Sequence, residues 1–344
     1  MTMLKDTLKT LCECDGISGR ENEVREKILE LISGKAETKV DALGNIIAFV
    51  RGRKGSGKKL MISAHMDEVG FMVTYINDDG TLCFSPVGGI DPRVCYGKRV
   101  TVGRDKITGV VASSALHNVP KADRCKVPSL DKLVIDIGAD DKEQAQSLVR
   151  QGDSVYFDGG FFSFGNGMIR SKAIDDRAGC AVMTEMINEG VDYDTYFTFV
   201  VQEEIGLRGS GCAAFTVEPD YSIVLEATTA ADIPSESGAD RVCEVGRGAV
   251  VSLMDRHTVY DKGLCDAAFE LAKQNGIPCQ TKTKVAGGND AGAIHISKGG
   301  VRTAAISVPC RYLHSPSCVI KEDDLTSVYR LAKLLADGIH RNDL

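Results

Sequence analysis

The chain reads as an α/β protein: a mixed, mostly parallel sheet sandwiched by helices, with a smaller β-rich module inserted into it. Three observations predict this. Apolar runs such as "KKLMISAH" and "YSIVLEA" are continuous, as strands buried on both faces must be. Helical and strand-like segments alternate from about residue 164 onward. Between residues 69 and 163 the character shifts to short β-like runs punctuated by glycine. A length of 344 residues accommodates one large domain with a second, smaller one.

Leu4, Leu8 and Leu11 recur at helical spacing across residues 3–14. "SGRE" then places Ser18 and Glu21 as a capping box ahead of Val24, Ile28, Leu31 and Ile32. "KVDALGNIIAFVRG" predicts strand, turn and strand, and "KKLMISAHMDE" a buried strand ending in His65, Asp67 and Glu68. The module carries "GFMVTYI", "KRVTVG", "GVVAS" and "DSVYFD" as strands and "DDKEQAQSLVR" as a helix. Beyond it come a helix through "DDRAGCAVMTEMINEG", a strand over 196–202, the strand "YSIVLEA", a helix near 259–275, a strand over 301–308 and a final helix over 322–340. The strand ending at His65 precedes the insertion and its partners follow it. Residues 1–68 and 164–344 are therefore expected to form one discontinuous catalytic domain, with 69–163 inserted and contributing no residue to its site.

A net charge of −7 leaves no basic stripe for nucleic acid, and no apolar run approaches the ~20 residues that span a bilayer. "MTMLKDTLKT" lacks the apolar core of a signal peptide. The twelve cysteines are scattered without a C-x-x-C pair, which points to reduced thiols and a cytoplasmic location. The polar stretch 118–131 reads as a mobile or partner-contacting loop.

Acidic and histidine residues recur just past the apolar runs: His65 and Asp67, Asp175 and Asp176, Glu203 and Glu204, Glu226, and His314. Carboxyl ends of parallel strands form the ligand crevice of such a sheet, so these groups should converge. Glu203 and Glu204 would extend a buried strand, and alternation would send them to opposite faces, so one needs a neutralising partner. Converging carboxylates and two imidazoles call for divalent cations, and a nitrogen and oxygen donor set suits zinc or cobalt better than calcium. Asp176 is assigned a structural or supporting role. His117, His257, His295 and His340 are left as non-ligands. "GGNDAG" is followed by no phosphate-loop lysine.

The motifs "AHMDEVGFMV", "VGGIDPRV", "LVIDIGA", "SKAIDDRAG", "VVQEEIGLRG", "GGNDAGAIH" and "RYLHSP", in this order, make the chain resemble the tetrahedral aminopeptidases. That family includes glutamyl aminopeptidases and proteins labelled endoglucanase or cellulase. The resemblance implies a zinc-peptidase-like fold in which Asp175 bridges two divalent metal ions, zinc foremost, with cobalt or manganese as alternatives. His65 and Glu226 would complete one site, and Glu204 and His314 the other. Glu203 would be the general base, and Asp67 would hydrogen-bond His65 and fix its tautomer. Glu226 stands where the family usually has aspartate, and Asn289 where threonine is more usual.

Two metals ~3.5–4 Å apart lower the pKa of a shared water. Glu203 would take its proton and return it to the departing amine. A free α-amine held near the cluster would restrict cleavage to the N-terminal residues of short peptides. The resemblance further implies that the inserted module pairs subunits into dimers, which assemble into a dodecamer. A related dinuclear deacylase or carboxypeptidase would use similar ligands. A glycosidase needs two carboxyl groups ~5–9.5 Å apart across a sugar cleft, and here aromatic residues are 6% with no tryptophan. A non-catalytic peptide-binding protein would be expected to have lost the base or a ligand, and none is missing.

Overall fold

A computed structural model describes residues 2–55 and 57–341. In chain order the elements begin with helices α1 (Thr2–Glu13) and α2 (Asn22–Leu31) and strands β1 (Glu37–Val40), β2 (Ile46–Val50) and β3 (Leu60–His65). Strands β4 (Gly70–Ile76), β5 (Leu82–Val87), β6 (Arg99–Val102), β7 (Ile107–Ala112), β8 (Val134–Asp136) and β9 (Ser154–Phe157) follow, with α3 (Lys142–Leu148) before β9. Then come β10 (Phe162–Phe164), β11 (Met168–Ser171), α4 (Ile174–Glu189), β12 (Thr195–Val200), α5 (Arg208–Val217) and β13 (Tyr221–Thr229). The chain continues through β14 (Ala249–Val251), α6 (Lys262–Gln274), β15 (Cys279–Thr281), α7 (Ala291–Ile294), β16 (Arg302–Cys310), β17 (Cys318–Lys321) and α8 (Glu322–Arg341).

The main sheet has eight strands in the order β1-β2-β12-β3-β13-β16-β14-β15. Its centre, β12, β3, β13 and β16, is parallel throughout. Every residue of β3 is buried, as are 222–228 of β13 and 303–310 of β16, so the continuous apolar runs follow from cover on both faces. α4 packs on β3 and β13 and touches α1 and α8, whereas α5 packs with α7 and on β12 and β3. Because the four central strands are parallel, their carboxyl ends open on one side of the sheet. Lateral neighbours there are far apart in sequence: Val200 pairs with His65, and Glu226 with Ser307.

Residues 70–157 supply a closed antiparallel barrel, β4-β5-β8-β7-β6-β9. Closure leaves no unpaired edge. Inside it Phe71 meets Phe84 and Phe157 edge-to-face, with centroids 4.8 and 5.2 Å apart; such pairs contribute about 0.5–1.5 kcal/mol each beyond area burial. A three-stranded sheet, β10-β11-β17, ties the chain leaving the barrel to the segment that follows β16.

Two local expectations are corrected. Ser18 and Glu21 do not form a capping box: Glu21 precedes α2 without a side-chain cap bond, and Ser18 turns to Asp67 instead. The strand expected to reach residue 202 ends at Val200, and Gln202 takes a positive φ of 58°. Glu203 and Glu204 therefore lie in a loop, and strand alternation does not decide where they point.

Candidate metal centre

Past Val200 no neighbouring strand continues to meet the backbone, yet its buried and half-buried N–H groups need acceptors. Side chains supply them in succession. Val201 N–H donates to Asn45 Oδ1 (2.9 Å), Gln202 to Glu21 Oε1 (3.2 Å), Glu203 to Asp67 Oδ1 (3.0 Å) and Glu204 to Asp67 Oδ2 (3.1 Å). Ser18 adds a hydroxyl bond to Asp67 Oδ2 at 2.6 Å. The carboxylate of Asp67 thus sets the course of the loop that carries both glutamates.

His65, the last residue of β3, is 1% exposed. Its Nδ1 lies 3.0 Å from the main-chain carbonyl of Asp67 and 3.4 Å from that residue's Oδ1. Both are acceptors, so Nδ1 carries a hydrogen, and Nε2 is the nitrogen left to face a metal ion. Asp67 thus orients His65 chiefly through its backbone, and its side chain serves the glutamate loop. His65 Nε2 faces Asp175 Oδ1 at 3.3 Å and Glu226 Oε1 at 3.4 Å.

His314 reaches the cluster from the segment after β16, at a positive φ of 56°. Its Nδ1 donates to the carbonyl of Gly89 at 2.7 Å, and its Nε2 faces Asp175 Oδ2 at 3.5 Å and Glu204 Oε2 at 3.3 Å. Gly89 belongs to "VGGIDP", just after β5 of the barrel. The module expected to add nothing to the site contributes this carbonyl. A main-chain acceptor leaves no side-chain signature in sequence; the glycine pair Gly88–Gly89 was its only trace.

Asp175, at the start of α4, therefore gives one oxygen to each imidazole. Potential ligand atoms of His65, Asp175 and Glu226 come within 4.8 Å of one another, as do those of Asp175, Glu204 and His314. Glu203 also comes within reach of His65 and Glu204. Asp176 turns away: its Oδ1 accepts the Gly179 N–H at 2.9 Å inside the helix start. Arg177, completely buried, donates to the carbonyls of Met66 and Cys14 at 2.7 and 3.1 Å and so holds the end of β3 against α1.

Six of the seven singled-out residues, all but Asp67, line one cavity of about 290 Å³. Asn289 lines it too, with its Oδ1 accepting the Ala291 N–H at 2.9 Å and lying 3.2 Å from the Tyr260 hydroxyl, so its side chain is spent on shaping the glycine-rich loop. Of the histidines set aside, none joins a group of potential ligands among the described residues.

So many carboxyl groups cannot all ionise unaided. Burial lifts Glu204 to about 8, helped by the charge of Asp175 and opposed by His314, and burial likewise lifts Glu226 to about 8. Burial, with the charges of Asp290, Glu226 and Glu204, raises Glu203 well above the carboxylate range against the pull of His65. Asp175 is the exception: burial opposes its ionisation, but bonds to His314 and His65 outweigh it and hold its carboxyl low. His314 is pushed up to about 10, its burial outweighed by Asp175 and Glu204. Asp175 Oδ1 meets His65 Nε2 at 3.3 Å without good hydrogen-bond geometry. A buried oxygen with a loosely held donor, carboxyl groups beside it that resist ionising and two sets of one imidazole with two carboxylates fit a pair of divalent cations.

Residues 44–331 match the model of the M42 glutamyl aminopeptidase family. The chain is 41% identical over 337 residues to a provisionally named aminopeptidase of Acetivibrio thermocellus, covering 97% of this chain and 98% of that one. It is 32% identical over 349 residues to the lysyl aminopeptidase of Pyrococcus furiosus, covering 98% of each. Among solved structures, the Pyrococcus horikoshii TET1 peptidase, described as assembling into a tetrahedron or a large octahedral shell, superposes with a TM-score of 0.85 at 33% identity, covering 97% of this chain and 99% of that one. Fold, motif order and full-length similarity agree, and the chain belongs to the M42 glutamyl aminopeptidase family.

Proposed function

We propose that this metal-dependent aminopeptidase removes N-terminal residues from short peptides with two divalent cations per subunit, zinc foremost. The observation that carries this reading is the division of Asp175, whose two oxygens face two separate imidazole and carboxylate sets. His65 and Glu226 would hold one cation with Asp175, and Glu204 and His314 the other. Bound there, the cations would supply Lewis acidity, polarising the scissile carbonyl and acidifying a water.

The chain's own groups do the rest. The Nδ1 bonds to Asp67 and Gly89 keep both Nε2 lone pairs aimed into the cluster. Glu203 belongs to neither set that shares Asp175, and it lines the cavity. Its carboxylate is the base that takes the proton of the attacking water and delivers it to the departing amine. The carboxylates beside it hold the free α-ammonium of the substrate, which makes an N-terminus the point of attack. Thr228, Thr229 and the loop at 286–289 wall off the rest of the cavity.

A panel of aminoacyl-p-nitroanilides, assayed after chelation and after re-addition of zinc, cobalt or manganese, tests this. Activity is expected to vanish with chelator and return with metal; full activity in metal-free protein refutes the reading. Hydrolysis of N-acylated amino acids with none of free-amine substrates would favour the deacylase alternative. The tetrahedral or octahedral assembly named for the TET1 relative supports a homo-oligomer; on this reading the barrel pairs subunits into dimers, and a dodecamer is the end state. A single species near 36.9 kDa in light scattering would refute it. The twelve scattered cysteines, with no C-x-x-C pair, suit a reducing cytoplasm.

A further inference from the structure

Lys282 stands outside everything the cluster requires. It follows β15 at the edge of the main sheet and lines the same cavity, sharing that wall with Thr228, Thr229, Ala286 and Gly287. It is half-buried, and its ammonium makes no ion pair and no hydrogen bond among the described residues. The carboxylates nearest in charge are already committed. Asp255 accepts the N–H groups of His257 and Thr258, each at 2.8 Å, and bonds the Tyr260 hydroxyl. Glu226 Oε1 accepts the Ala227 N–H at 3.0 Å and faces His65. Burial pulls the lysine's pKa below its usual value, against the fields of Asp255 and Glu226.

A charge withdrawn from water without a counter-ion is costly, and folded proteins rarely leave one. Here the cost falls at the wall of a cavity whose remaining ionisable lining is the metal cluster itself. The other groups on that wall are small and uncharged, so nothing else there discriminates by charge.

We propose that Lys282 anchors a carboxylate of the peptide substrate, an inference that rests on the aminopeptidase reading of this cavity. Two parts of a short peptide carry that chemistry: the side chain of an N-terminal aspartate or glutamate, and the C-terminal carboxylate of a dipeptide. The family contains members named for glutamyl and for lysyl substrates, so membership alone leaves the matter open.

Steady-state kinetics on the zinc-loaded enzyme separates the cases. One arm compares Glu-p-nitroanilide with Leu-p-nitroanilide, and the other compares Leu-Gly with Leu-Gly amide. In Lys282→Met the kcat/KM ratio of one arm is expected to collapse by on the order of 10²-fold. Lys282→Arg should keep that ratio, and Lys282→Glu should turn preference toward Lys-p-nitroanilide. Whichever arm responds identifies the carboxylate. Ratios identical in the native enzyme and all three variants overturn the proposal, as does a uniform loss on every substrate accompanied by loss of zinc, which would make Lys282 a support for Glu226. A native zinc-loaded enzyme inactive on every substrate would instead overturn the aminopeptidase reading itself.

Discussion

His65 and His314 present the same nitrogen to the same carboxylate, yet different parts of the molecule hold them. His65 ends a fully buried central strand and is oriented by a carbonyl two residues away. His314 stands in a loop at positive φ, has a side chain 38% exposed, and is oriented by a carbonyl 225 residues away in the barrel. One half of the cluster is thus a product of sheet packing, which is rigid and collective. The other is a product of where the barrel places the Gly89 carbonyl. Equal ligand chemistry does not give equal robustness.

Removing each imidazole should sharpen this contrast most. His65→Ala and His314→Ala are each expected to cut kcat/KM by about 10³-fold or more. Metal analysis should separate them: His314→Ala keeps close to one ion per chain, while His65→Ala also disturbs the strand end and loses more. Equal stoichiometry in the two variants would break the comparison. Next, Glu203→Gln should lower turnover by about 10²-fold while both ions remain bound, because the amide keeps the shape and loses the base. Loss of an ion there would show that Glu203 and Glu204 have exchanged roles.

Gly88→Ala probes the half of the cluster that holds Glu204 and His314. Gly88 sits at φ +84°, and an added Cβ would meet Val69 Cγ1 at 2.8 Å and Glu204 Cβ at 3.2 Å. It should weaken the affinity for one of the two ions by roughly 10-fold, within the range of supporting groups. Titration calorimetry that finds both ions weakened alike would contradict the division into halves.

The smallest effect concerns pH. Glu204 and Glu226, lifted to about 8, are raised above their unfolded values. Folding disfavours their charged forms, so the metal-free protein loses stability as pH climbs from about 4.5 to 8. His314, raised to about 10, adds stability below about 6.5 that is lost as pH rises through 10, in the same direction. Chelated protein should therefore melt a few degrees lower at pH 9 than at pH 6. The metal-loaded protein should show a smaller fall, because the cations hold the carboxylates ionised; equal slopes in differential scanning calorimetry would count against occupancy of these residues.

Much of the cluster was legible because its side chains are chemically singular and follow apolar runs. His65, Asp175 and His314 stand at or just beyond the ends of elements, and Glu226 sits toward the carboxyl end of β13, where a parallel sheet opens its crevice. What sequence hid was the holding of those groups. Ser18 looked like a helix cap because its true partner, Asp67, lies 49 residues away. The apolar run before Glu203 suggested a longer strand, but strand length depends on whether neighbours continue, and here Asn45, Glu21 and Asp67 take over from them. Gly89 acts through its backbone, which every residue possesses. Lys282 belongs to no motif and gains meaning only from the cavity it lines.

The order of the proposed ligands along the chain also bears on biosynthesis. His65 leaves the ribosome early, Asp175, Glu204 and Glu226 follow, and His314 comes only after β16 is complete. Since domains fold as they emerge, the barrel carrying Gly89 can be in place long before the imidazole it will orient exists. A ribosome-bound fragment that stops short of His314 lacks the second imidazole, so under the proposed two-metal reading it would lack its second metal set and be disarmed among the unfolded peptides around it.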